Sequence, residues 1–124
     1  EIASSPWAGI NDDGPCVTVA DHGNNFGLVL GPVLDESRWD AIDSIEVGVF
    51  FDGEHVNSAT TAAMLDGPFG AVRFLLANLM DRGIAPQAGW WVSSGAVTGV
   101  HEVASGTHVR ATFGDAGAVE VTVA

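Results

Sequence analysis

Four histidines, a lone cysteine and one turn of small hydroxyl-bearing residues are the groups in this chain that invite chemistry. His22 is the foremost acid/base candidate: an imidazole titrates near neutrality, Asp21 stands beside it, and Asn24 and Asn25 add hydrogen-bonding groups to the same loop. The plainer alternative is a loop histidine held by hydrogen bonds. Ser94-Gly95-Ala96-Val97-Thr98-Gly99 sets two hydroxyls among small residues, so a backbone there can approach a ligand closely. Its alternative is a pair of glycines that only shape a turn. His101 reads as a structural strand residue, and His55 and His108 read as solvated. No two histidines have the i, i+4 spacing of a helical zinc site. Cys16, between Pro15 and Val17, reads as a buried small hydrophobe. One cysteine makes neither an intrachain disulfide nor a thiolate zinc cluster, which fits a reducing compartment. The absence of lysine removes Schiff-base chemistry and the lysine of phosphate-binding loops.

The elements that must position these groups follow from turn signals and periodicity. Residues 1–23 are polar and turn-rich, with Asn11-Asp12-Asp13-Gly14-Pro15 as a loop. Phe26 to Gly31 is short and apolar and predicts a buried strand; Asp35 to Asp40 reads as a solvated connection. Ile45, Val47, Val49 and Phe51 alternate, and Asp52-Gly53 then carries the signature of a two-residue hairpin turn with positive φ at both positions. Asp66 can cap a helix whose first turn accepts Pro68; Phe69, Val72, Leu75, Leu76, Leu79 and Met80 recur at helical spacing up to Gly83. That predicts one long amphipathic helix over about 67–82 with its stripe in the core. Trp90 to Ser93 predicts a strand, with Trp90 and Trp91 on opposite faces. Thr107 to Phe113 and Ala118 to Val123 form a closing hairpin across Gly114-Asp115-Ala116-Gly117. The sum is one α+β, β-rich domain over 1–124.

Sixteen acidic residues oppose four basic ones, Arg38, Arg73, Arg82 and Arg110, for a net charge of -12. That field argues against nucleic acid and anionic membranes as partners, and a small anionic substrate would need a metal cation to reverse the local potential. With 47% hydrophobic residues the chain folds, yet no apolar run reaches the roughly 18 residues that span a bilayer, and no signal peptide is recognisable. A cytoplasmic location is expected.

Five stretches, in order, carry a resemblance. Glu1-Ile2-Ala3-Ser4-Ser5-Pro6, Val19-Ala20-Asp21-His22 through Gly31, Val47 to Met64, Pro68 to Gly83 with Ala71, Val72, Leu76, Ala77 and Asn78, and Trp91 to His101 with the following hairpin resemble the hydratase and decarboxylase group of the fumarylacetoacetate hydrolase superfamily. Collinear matches cover nearly the whole chain. The resemblance implies the C-terminal portion of a mixed β-sandwich or roll, acting as a metal-dependent lyase or hydratase on a 2-oxo acid or its dienol through a stabilised enolate. It implies Mg²⁺ or Mn²⁺ held by three carboxylates, with Glu1 as one and a Glu-x-Glu pair, absent from this chain, as the others. It also implies Ser94, Gly95 and Thr98 as substrate-binding residues; His22 with Asp21, read from the residues themselves as the catalytic pair, falls in one of the matched stretches. A second chain or an N-terminal segment must then bring the acidic pair, and the leading Glu, standing inside a motif, reads as a fragment or one subunit of a split protein. Trp90 and Trp91 add the expectation of a homo- or hetero-oligomer. Ser4 and Pro6 stand where the family shows Asp and Arg, which leaves two alternatives open: a non-catalytic binding or scaffolding subunit, or another reaction such as C–C hydrolysis, decarboxylation or isomerisation.

Overall fold

Val47, Val49 and Phe51 lie along strand β3 (Glu46–Phe51), which turns through Asp52-Gly53 into β4 (Glu54–Thr60) in a computed structural model describing residues 1–124. Asp52 and Gly53 take φ of 49° and 88°, the left-handed pair that the two-residue turn demands. The chain divides into two compact units, Glu1–Leu30 and Gly31–Ala124.

In the larger unit four antiparallel strands run in the order β4-β3-β5-β6, with β5 at His108–Phe113 and β6 at Ala118–Thr122. The register pairs Val47 with Phe113, Val49 with Ala111 and Phe51 with Val109, and then Val109 with Val121 and Ala111 with Val119. Because side chains alternate across a strand, these apolar residues share one face. The opposite face carries Gly48, Phe50, Thr112, Arg110, His108 and Glu120. Val47, 5% exposed, is the one buried hydrophobic side chain. Thr61, also 5% exposed, pins the end of β4: its hydroxyl donates to Ile42 O at 2.6 Å and accepts from Ile45 N at 3.0 Å.

The long helix, α2, spans Gly67–Asp81, one residue short of the range read from periodicity. Its end follows from Gly83 at φ 72°: Gly83 N bonds Met80 O and Ile84 N bonds Leu79 O, the paired bonds of a left-handed glycine stop. Its start differs from expectation. Asp66 sits at φ 60° and makes no capping bond; its carboxylate instead pairs with Arg73 at 2.9 Å. Val72, Leu75, Leu76 and Leu79 are half-buried rather than in a closed core, and Phe74 and Met80 are exposed.

Four further expectations are corrected. Asp35 to Asp40 is not a free connection: Asp35 caps a 3-10 segment at Glu36–Ser44 by accepting from Ser37 N at 2.9 Å, and Trp39 meets Phe69 edge-on at 5.9 Å. In the smaller unit β2 spans only Asn25–Gly27, because its partner β1 (Ile2–Ala3) offers two residues of ladder, and Phe26 is 75% exposed. Cys16 lies in a short helix α1 (Pro15–Ala20) that buries no side chain, so the cysteine is exposed. Trp90 to Ser93 forms no strand, since no other part of the chain offers it a ladder. No helix is long and apolar enough to cross a membrane.

Candidate functional site

The smaller unit brings together three of the six candidate residues. Pairing of Ala3 with Asn25 sets β1 against the loop that ends α1, and the Glu1 carboxylate accepts from Asn25 Nδ2 at 2.8 Å. Asp21 closes α1 with its backbone N–H on Val17 O at 3.0 Å, and its own carbonyl accepts from Asn24 N at 3.0 Å. His22 follows, exposed. The loop is fixed from the other side by Ser4 N, which donates to Asn24 O at 2.9 Å. Glu1, Asp21 and His22 thus belong to one small framework.

That loop carries a feature the residue types alone did not announce. His22, Gly23 and Asn24 take φ of 56°, 70° and 62°, three left-handed residues in a row. Non-glycine residues reach that region only at a cost, Asn most easily, so surrounding bonds must hold His22 there. Asn24 Oδ1 is buried and has no hydrogen-bond partner. The order Gly-Asn after His22 was the signal, both being residues that accept positive φ.

In the larger unit the Ser94–Thr98 turn lies between α2 and β5. Ser94 and Thr98 are half-buried and Gly95 is exposed. Gly95 at φ 114° and Gly99 at φ 88° need glycine for backbone reasons, and a Cβ on Gly95 would stand 3.7 Å from Met64 Cε, in ordinary contact. The turn is braced by its own carbonyl: Thr98 O accepts from Asn57 Nδ2 of β4 at 2.9 Å and lies 3.0 Å from His101 Nε2. His101 is therefore a brace in an irregular segment and not a strand residue. Asn57 went unremarked in the sequence, since nothing local links it to a turn about forty positions away.

The remaining histidines are engaged rather than merely solvated. His55 Nε2 lies 2.6 Å from Ser58 Oγ and its ring meets Phe50 edge-on at 5.4 Å. His108 Nε2 lies 3.4 Å from Glu120 Oε2, which also faces Arg110 Nε, 3.0 Å from Glu120 Oε1.

No group of three histidine, cysteine, aspartate or glutamate side chains converges anywhere in the chain. A divalent ion of the Mg²⁺ type wants several hard oxygen ligands around it, so the residues present do not make a metal site by themselves. Glu1 can be one donor of such a set.

No family model and no curated protein sequence matches the chain. Among solved structures it is similar to the 4-oxalocrotonate decarboxylase from Pseudomonas putida G7, determined in complex with calcium and acetate, with a TM-score of 0.79 and 24% sequence identity. The match covers 87% of this chain and 42% of that one. What is shared is the fold, and this chain spans less than half the length of that enzyme.

Proposed function

We propose that this chain is the C-terminal portion of a metal-dependent lyase of the fumarylacetoacetate hydrolase superfamily, acting on a 2-oxo acid or its dienol. The observation that supports the reading most is the fold likeness to a decarboxylase determined with calcium and acetate, a divalent ion and a carboxylate. In this reading Mg²⁺ or Mn²⁺ is held by Glu1 together with a Glu-x-Glu pair supplied by an upstream segment or a second polypeptide. Such an ion supplies charge stabilisation to an enolate oxygen, usually the largest contribution at a centre of this kind.

This chain's own residues have separate tasks. His22, presented by the left-handed loop and adjacent to Asp21, moves a proton on the substrate carbon skeleton. The Ser94 and Thr98 hydroxyls donate to substrate oxygens, and Gly95 lets the backbone come close. The five collinear segments resemble a group that holds both hydratases and decarboxylases, and hydration of the dienol is the reaction put to the test first.

The test is the assembled protein, containing both this chain and an acidic-pair polypeptide, assayed for Mg²⁺-dependent loss of 2-hydroxypenta-2,4-dienoate absorbance. Turnover that vanishes in Glu1→Ala supports the proposal. Binding of 2-oxo acids without turnover supports the rival reading of a non-catalytic subunit, which Ser4 and Pro6 favour because they stand where relatives carry Asp and Arg.

A further inference from the structure

Asn57 is out of character with the strand that carries it. The register sets it opposite Val49, so its side chain rises from the apolar face that Val47, Val49 and Phe51 share. Asparagine is depleted from strands, and a polar amide on an apolar face needs partners at both of its ends. Both ends are bonded: Asn57 Oδ1 accepts from Ser58 N at 2.9 Å, and Nδ2 donates to Thr98 O at 2.9 Å. The N–H of Ser58 fixes which end of the amide faces which partner. A residue at odds with its element yet bonded at both ends marks a place where the element has a second task.

That task lies in the turn that holds Ser94 and Thr98. No backbone hydrogen bond joins any two of residues 94–99, so the turn lacks the internal bond that would hold its shape. Asn57 Nδ2 and His101 Nε2 reach it from outside, at 2.9 Å and 3.0 Å, and both end on the same oxygen, Thr98 O. A carbonyl oxygen has two lone pairs and no proton to give, so His101 carries its hydrogen on Nε2. The neutral ring is thereby held in one tautomer. A single donor would let the Thr98 carbonyl swing about that bond; two donors, one on β4 and one beyond the turn, fix its direction and with it the peptide plane that leaves Thr98.

We propose that Asn57 and His101 are a pair of positioning residues that set the Ser94 and Thr98 hydroxyls for substrate oxygens. The substrate rests on the proposed function; the double brace on Thr98 O rests on these distances alone. The pair lends itself to selective cuts. Asn57→Asp keeps the oxygen that Ser58 N needs and sets a carboxylate oxygen against the Thr98 carbonyl, so it removes one bond and adds repulsion. His101→Gln keeps an N–H donor of similar reach, and His101→Leu does not.

The experiment reads the full chain by NMR and the assembled protein by kinetics. In the chain, two-bond nitrogen–proton spectra should place the proton of the neutral His101 ring on Nε2. The Thr98 carbonyl and the amides of residues 94–99 should shift in Asn57→Asp and in His101→Leu while those of β3 and β5 stay, and His101→Gln should restore them. A proton on Nδ1, turn resonances that ignore both variants, or a His101→Gln spectrum matching that of His101→Leu overturns the brace. Because His101 lies outside every helix and strand, His101→Leu keeps the test open even where Asn57→Asp does not fold. In the assembled protein, KM for 2-hydroxypenta-2,4-dienoate should rise about threefold to tenfold in His101→Leu with kcat nearly unchanged, the pattern of lost binding that ground and transition states share. An unmoved KM beside shifted turn resonances overturns the role of the pair toward substrate. Should the assembly turn nothing over, the proposed reaction falls, and the same shift is read in the Kd of pyruvate, the simplest 2-oxo acid, by calorimetry. There a weaker Kd in His101→Leu supports the pair, and an unchanged Kd or no binding overturns it.

Discussion

Glu1 Oε1 and Asn25 Nδ2 are joined by a 2.8 Å hydrogen bond across the short β1–β2 ladder. The bond makes Asn25 a positioning residue for a candidate metal ligand, since a neutral amide donor orients a carboxylate without cancelling its charge. In the assembled protein Asn25→Leu should weaken Mg²⁺ binding by roughly 10-fold to 100-fold, the usual effect of losing a ligand's outer partner. Glu1→Gln should weaken it more. Isothermal calorimetry decides, and an unchanged Kd in Asn25→Leu removes the role assigned to that side chain.

Thr61 is the buried polar group on which the end of β4 depends. Its hydroxyl serves Ile42 O and Ile45 N, and its own N–H bonds Ile45 O at 2.9 Å. Thr61→Val keeps the shape and strands a buried donor and an acceptor, so stability should fall by about 1–3 kcal/mol. Thr61→Ser, which retains the hydroxyl, should cost less. Urea midpoints with an unchanged slope measure both.

The hairpin turn separates two effects at neighbouring positions. Gly53 sits at φ 88°, where a Cβ costs about 1–2 kcal/mol, so Gly53→Ala should lower the thermal midpoint. Asp52, at φ 49°, also accepts from His108 N at 2.9 Å through Oδ1. Asn tolerates the same backbone and keeps an acceptor oxygen, so Asp52→Asn should be much milder than Asp52→Ala. Equal losses in the two variants would show that the bond to β5 contributes nothing.

Local backbone preference explains which parts of this architecture were legible. Asp52-Gly53, the helix stop at Gly83 and the closing hairpin depend on what a residue's own φ allows, and all three stand where the residues put them. Phe26, Cys16 and Trp90 were misread for one shared reason: their expected burial or pairing depends on a neighbouring layer, and apolarity reports a wish for cover without naming what provides it. The 3-10 segment after Asp35 was missed because its anchors are distant, with Trp39 on Phe69 and Arg38 paired with Asp115. At the site, the closeness of Glu1 to Asn25 needed a ladder of two residues, too short to leave a pattern.

Asp35 offers a test of pH linkage at a single cap. Hydrogen bonds from the Ser37 hydroxyl and then the Ser37 N–H hold its carboxyl below the usual carboxylate range. A depressed folded-state pKa means the bond's contribution is complete above the unfolded value of about 3.9 and is lost as pH falls through the lower folded value. The group is fully exposed, so the effect belongs to the first turn of the 3-10 segment and not to global stability. The Ser37 amide resonance should therefore titrate below about 3.9, with little change above pH 5. Asp35→Asn keeps an acceptor oxygen and should abolish that titration while leaving the segment formed. A Ser37 resonance that moves at or above the ordinary aspartate value would mean that the cap does not favour the charged carboxylate.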